Sequence, residues 1–110
     1  MTTVTPLHRD WRAREATRAA ALADIERDIE QLRRCTTWLI NEGVYVVSAE
    51  VRRTTGQKPL VTVAPSPLLH ILFKDDCAAG QHWDRLHGRT AHDYRAVRHG
   101  CEIRWTEVTQ

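Results

Sequence analysis

The sequence has one phenylalanine, one methionine and only two lysines, Lys58 and Lys74, beside fourteen arginines. Its three cysteines, Cys35, Cys77 and Cys101, are odd in number, far apart and without a CxxC pair. A disulfide framework is therefore excluded as the source of stability, and a reducing compartment is expected. No apolar run approaches the roughly 18 residues that span a membrane. The opening Met1-Thr2-Thr3-Val4-Thr5-Pro6 lacks the basic-then-apolar layout of a secretion leader. A cytoplasmic chain without membrane contact is expected. There is no GxSxG, Walker loop, GxGxxG or HExxH. Motif-borne nucleophilic, nucleotide and zinc chemistry thus has no foothold. No cofactor and no metal is expected, and the chain reads as non-enzymatic.

An excess of one charge is lacking too. Sixteen basic residues face fourteen acidic ones, a formal charge of +2. That balance does not by itself imply nucleic acid or an anionic surface as partner. With 42% hydrophobic and 27% charged residues over 110 positions, the chain reads as one folded domain spanning 1–110. What the sequence does have is tryptophan. Trp11, Trp38, Trp83 and Trp105 are spread along it. A core this small does not easily hide four indoles, so at least one is expected at an interface.

Thr5-Pro6 reads as a cap followed by proline at the first helical position. From there to Glu42 no proline or glycine intervenes, and Ala, Leu, Arg and Glu dominate. Asn41-Glu42-Gly43 is a stop signal, giving a helix over about 6–42. At about 1.5 Å per residue such a helix reaches roughly 50 Å. A compact chain of this size has a radius of gyration of only about 13 Å. Either the helix breaks near Ala19–Ala23, or its overhang packs on another chain.

Apolar spacing favours packing. Leu22, Ile25, Ile29, Leu32 and Leu39 follow alternating steps of three and four, with Thr36 in the remaining seam position. Cys35 and Trp38 widen the stripe toward a helix lying on a sheet. These five apolar positions are the expected self-association surface of a homodimer. Charge is segregated along the same helix. Arg9, Arg12, Arg14 and Arg18 lie early, while Asp24, Glu26, Asp28 and Glu30 lie in the middle. Antiparallel pairing would bring opposite blocks together; a solvated polar face is the alternative.

Downstream, Val44–Val51 is rich in β-branched residues and Leu60–Val63 returns after a Thr54-Thr55-Gly56-Gln57 turn, a hairpin over about 44–64. Ser66-Pro67 opens a short helix over about 67–79, almost wholly apolar from Leu68 to Phe73 apart from His70. A buried strand over Leu68–Phe73 is the alternative. Residues 80–93 show no period and read as loop. A second hairpin covers about 94–108 around His99-Gly100, a type I′ signal. The expected fold is α+β: a long N-terminal helix on a small antiparallel sheet of two hairpins, with a short second helix between them.

Three constellations carry possible chemistry. Arg52, Arg53, Lys58, Arg95, Arg98 and Arg104 surround the hairpins and form a candidate surface for a protein or nucleic-acid partner, with Tyr94, Trp83 and Trp105 as possible base-stacking groups. His82, His87, His92 and His99, with Asp84 and Asp93, cluster late. Steps of five turn roughly 140° on a helix, so these histidines share no face without help from the fold. His92, Tyr94, Arg95, Arg98 and His99 make an RNA-cleaving set of proton shuttles and phosphate-binding arginines. In that stretch Tyr94-Arg95 ahead of a tight hairpin resembles the sheet of RelE-type ribonuclease toxins.

The stretches Lys58-Pro59-Leu60-Val61-Thr62-Val63 and Gly100-Cys101-Glu102-Ile103-Arg104-Trp105 resemble small accessory proteins of temperate phages and prophages in GC-rich proteobacteria. The resemblance implies a non-enzymatic protein that binds a host or phage macromolecule. Inhibitors of bacterial defence systems, anti-CRISPR proteins among them, are one class in that range. The expected function is thus an interaction protein that self-associates through its long helix. A nucleic-acid binder using the hairpin arginines, or a small nuclease using the late histidines, stands as the alternative.

Overall fold

The first helix does not break. A computed structural model describes residues 6–52, 56–84 and 88–109, with side chains at 11–52, 56–80 and 88–108. Helix α1 runs Pro6–Asn41 without interruption, 36 residues. It stops where the local signals say. The Gly43 N–H donates to Ile40 O at 3.0 Å and the Val44 N–H to Leu39 O at 2.9 Å. Gly43 has φ +94°, a left-handed turn that glycine takes at no steric cost.

The remaining elements are β1 (Val46–Glu50), β2 (Leu60–Val63), α2 (Pro67–Leu72), β3 (Ala78–Asp84), β4 (Arg89–Arg98) and β5 (Cys101–Thr109). The strands form one five-stranded sheet in the order β1-β2-β5-β4-β3. This is α+β, as expected, but the sheet is mixed rather than antiparallel. β1–β2, β3–β4 and β4–β5 pair antiparallel, whereas β2 and β5 pair parallel with Val61 beside Ile103. The two hairpins are joined edge to edge. The Glu102 N–H donates to Pro59 O at 2.9 Å just ahead of that junction. Pro59, which lacks an N–H, is spent at a strand start where only its carbonyl is needed.

Two expected boundaries are corrected. The short helix ends at Leu72, not near 79. Ser66 Oγ accepts from the Leu68 N–H at 3.2 Å and caps its start. The Asp76 N–H then donates to Phe73 O at 3.2 Å, and Lys74-Asp75-Asp76 becomes a turn. Residues 80–84 and 89–93 are strand, not loop. They hold most of β3 and the start of β4, paired from Ala78 opposite Arg95 to Asp84 opposite Arg89. β3 is an edge strand, bonded on one side only, so its polar Gln81-His82-Trp83-Asp84 run need not alternate with a buried apolar face. The β4–β5 turn is as expected. His99 and Gly100 take φ +53° and +76°, the two positive values of a type I′ turn.

One sheet face is sealed. Val61, Val63, Ala96, Cys101, Ile103 and Trp105 meet Cys35 and Leu39 of α1 and Leu69 of α2, with Phe73 alongside. Only the last third of α1 takes part, and residues 11–20 are exposed throughout. The molecule measures 77 × 34 × 22 Å with a radius of gyration of 20.2 Å. A compact chain of this length has about 13 Å, so the helix outruns the body it covers. No helix among the described residues is long and apolar enough to cross a membrane.

Cys35 and Cys101 are both fully buried, one on the helix and one on the sheet beneath it. The Cys35 thiol is pushed well above the ordinary cysteine range by its hydrogen bond to Cys101 and by burial. Cys77 is half-exposed. A thiol reagent is therefore expected to modify one cysteine rapidly in the native protein and all three after denaturation. Rapid modification of more than one without denaturant would contradict this packing.

Candidate functional site

The expected self-association stripe divides in two. Leu39 is fully buried in the chain's own core, and Leu32 packs against that core from its edge. Ile25 is half-buried. Leu22 and Ile29 are more than half exposed. The correction is physical: a periodic apolar stripe serves whichever surface lies beside it. Toward its C-terminus that surface is the sheet. Toward its N-terminus the stripe stays open to solvent.

Charges along the rod pair locally. Arg18 lies 3.2 Å from Glu15, Arg27 3.3 Å from Asp24, and Arg33 and Arg34 each 3.3 Å from Glu30. Exposed pairs of this spacing contribute about 0.2–0.5 kcal/mol each. They favour the helix but do not replace a missing apolar cover.

Of the six basic hairpin residues, the five described do not gather on one face. Alternation along β4 and β5 puts Arg95 and Arg104 on the sheet face away from the helices, with Glu102. Glu102 Oε2 lies 2.8 Å from Arg104 and 3.1 Å from Arg52, ionic contacts rather than aligned hydrogen bonds. Arg52 Nε also donates to Lys58 O at 2.6 Å. Arg98 is on the opposite face. Its guanidinium lies 5.2 Å from the Trp38 ring centre and 5.3 Å from that of Phe73, and pairs with Asp76 at 2.7 Å. It is a packing cation that closes the edge of the core. Arg53 lies outside the described residues.

On the uncovered face Val47, Leu60, Thr62, Arg95, Arg104 and Thr106 line a shallow groove of about 860 Å³. A second cleft of about 480 Å³, between α1 and the first hairpin, is lined by Asp24, Asp28, Gln31, Arg52 and Lys58. Tyr94 and Trp105, proposed for base stacking, also border the larger groove, but their rings are engaged in packing. Tyr94 stacks on Trp105 with centroids 5.3 Å apart and planes 10° from parallel, on the helix-covered face, and Trp105 is buried. The Trp83 side chain lies outside the described residues.

The two late histidines that are described, His92 and His99, are not brought together either. His99 occupies the β4–β5 turn with its ring 5.3 Å from that of Trp38. His92 lies opposite Glu107 across β4–β5. His87 and the side chain of His82 lie outside the described residues. Among the described residues no three His, Cys, Asp or Glu side chains are placed to hold a metal ion. Of the RNA-cleaving set, alternation keeps Tyr94 and Arg98 on the covered face and turns Arg95 to the other.

A polar cluster that sequence reasoning missed lies at the open end of the covered face. His70 Nε2 is 2.6 Å from Glu107 Oε1, joining α2 to β5 across 37 residues of chain. The His70 ring meets Tyr94 edge-on, centroids 5.1 Å apart at 89°. The available signal was His70 itself, the one polar residue in an apolar helix. His70 and Glu107 line neither groove above, and the pair acts as a clasp between α2 and the sheet.

No protein-family model, curated protein or solved structure matches the chain.

Partial burial, and then the Glu107 carboxylate beside it, hold the Tyr94 phenol above its ordinary value of 10.0. The neutral phenol is the form the fold favours. Its contribution is complete below the unfolded value and is lost as pH rises through the higher folded one. Tyrosinate absorbance is expected to show Tyr94 ionising late, and Glu107→Gln to bring that ionisation to lower pH. An unchanged midpoint in Glu107→Gln would show that the carboxylate does not act on it.

Proposed function

We propose that the chain is a non-enzymatic interaction protein that self-associates through α1 and binds a host or phage macromolecule through an exposed surface. One observation carries the reading: α1 is far longer than its own sheet, and its leading half keeps Leu22 and Ile29 open to water. Isolated helices shorter than about 12–15 residues are marginal in water, and most helix stability in proteins comes from packing an apolar face. A projecting rod of this kind gains its cover from a second chain.

The phage or prophage accessory type, with inhibition of a bacterial defence system such as CRISPR as its class of action, rests on the resemblance at Lys58–Val63 and Gly100–Trp105. Pro59, Leu60, Val61, Val63, Cys101, Ile103 and Trp105 in those stretches are all buried. The shared pattern is thus one of packing, and activity is left to the surface. The uncovered sheet face, with Arg95, Arg104 and the groove beside them, is the surface proposed for the macromolecular partner. Trp105 is buried and Tyr94 is stacked on it, so neither ring is offered freely to a base, which favours a protein partner over nucleic acid.

Light scattering at about 100 μM is expected to give about 25 kDa, twice the 12.7 kDa of one chain. Leu22→Asp is expected to return the monomer mass. This position is the cleaner probe, because Leu32 also packs on the chain's own core. A monomer at that concentration, unaltered by Leu22→Asp, would remove the self-association reading.

A further inference from the structure

Cys35 and Cys101 meet in the sealed layer between helix and sheet. Both are fully buried and belong to one apolar cluster with Leu39, Val61 and Ile103. No charged or polar residue is buried among the described residues, so the two thiols are the nucleophiles of that core. The course of α1 sets them against each other. About one turn before Cys35, Gln31 Nε2 lies 2.8 Å from the point where a Cβ on Gly100 would stand. About one turn after it, the Trp38 ring centre lies 5.3 Å from that of His99 and 5.2 Å from the Arg98 guanidinium. Residues 31–38 thus run along the β4–β5 turn, and Gly100, without a Cβ, lets the helix come down on it. Position 35 falls over position 101.

The contact is sulfur to sulfur. The two thiols share a hydrogen bond, and the S–H of Cys35 holds the Cys101 thiol below its ordinary value in spite of burial. Cys101 is therefore the better nucleophile of the two. Cys77 is placed differently. It is half-exposed and stands immediately ahead of β3. Ala78 lies opposite Arg95, and Arg95 opposite Arg104, so Cys77 is two strands away from β5. Two strand spacings are about 10 Å. A disulfide tolerates Cα atoms no more than about 7 Å apart. The fold thus pairs Cys101 with Cys35 and keeps it from Cys77.

We infer that Cys35 and Cys101 are a redox modification site, closed to a reversible disulfide by a low-molecular-weight disulfide such as oxidised glutathione. The site is independent of the self-association reading above. Both sulfurs are covered when α1 lies on the sheet, so exchange begins while that end of the helix is lifted, during folding or transient opening. The Cys101 thiolate attacks one sulfur of the oxidant and expels a glutathione thiolate. Cys35 then gives up its proton and attacks Cys101 Sγ, releasing the second glutathione. Two protein thiols are oxidised, one glutathione disulfide is reduced to two thiols, and the protons pass to the departing thiolates. Reduced, the pair is part of the packing. Oxidised, it ties α1 to β5 and forbids the opening through which it formed.

Loop length makes the test sharp. Cys77 and Cys101 are 24 residues apart, Cys35 and Cys101 66. In an unfolded chain the shorter loop closes roughly four to five times more readily. The whole chain is equilibrated with reduced and oxidised glutathione, once in buffer and once in concentrated urea, then alkylated and peptide-mapped without reductant. Cys77–Cys101 is expected to outweigh Cys35–Cys101 in urea. In buffer Cys35–Cys101 is expected as the main product, with Cys77 free or carrying glutathione. Cys77–Cys101 as the main product in buffer, or no protein disulfide there at a glutathione ratio that oxidises the chain in urea, would overturn the assignment. Oxidation should also raise the thermal midpoint by about 10–20 °C, reversed by dithiothreitol and lost in Cys35→Ala. A midpoint lowered by oxidation, or a rise that survives in Cys35→Ala, would contradict it equally.

Discussion

The fold turns on a mismatch of lengths. A helix of 36 residues closes a sheet that needs only its last third. Within that third the fit is tight. Cys35 and Leu39 sit over Cys101 and the apolar centre of β2 and β5, and Arg98 lies against Trp38 and Phe73 to shut the edge. Emptying a site such as Leu39 typically costs about 2–5 kcal/mol. The other two thirds of the rod draw little from this. They have good helix formers and local ion pairs, which suffice to bias a helix but not to hold one firmly in water. The last third of the rod thus finds its apolar cover on the sheet, and the leading part finds none there.

Where signals are local, the sequence is legible. Pro6 and Gly43 bound α1 because proline, a long run of helix formers and a left-handed glycine act within a few residues. Ser66-Pro67 starts α2 and His99-Gly100 makes its turn for the same reason. Alternation along β4 also holds, with Tyr94, Ala96 and Arg98 on one face and Arg95 on the other. The misses lie at longer range. β3 is polar and bonded on one side, so its pairing with β4 leaves no periodic trace. The parallel junction of β2 with β5 joins segments some forty residues apart, and no local pattern specifies it. The site is legible to the same degree. Heptad spacing finds an apolar stripe on α1 but not which part of it the sheet will claim. The clasp of His70 and Glu107 needs the fold to bring its halves together.

These constraints divide the surface. The covered sheet face is occupied by packing, including Val61, Val63, Cys101, Ile103 and Trp105. The opposite face keeps Arg95, Arg104 and a shallow groove open. On the helix, Leu22 and Ile29 stay open to solvent. In the account proposed here that stretch joins two copies, and the open faces, one per copy, are left for the macromolecule the protein binds. Pairing through the rod would hold those faces apart at a fixed geometry, which suits a target with two-fold or repeated features.

The central claim is that the leading half of α1 is held in place by a second chain. Amide hydrogen exchange over a range of protein concentrations measures this directly. Protection of the amides of residues 11–24 should rise with concentration, following formation of the pair, while protection in β4 and β5 stays constant. Equal protection of residues 11–24 in a dilute, monomeric sample would contradict the account, because the rod would then be standing without the cover on which the rest is built.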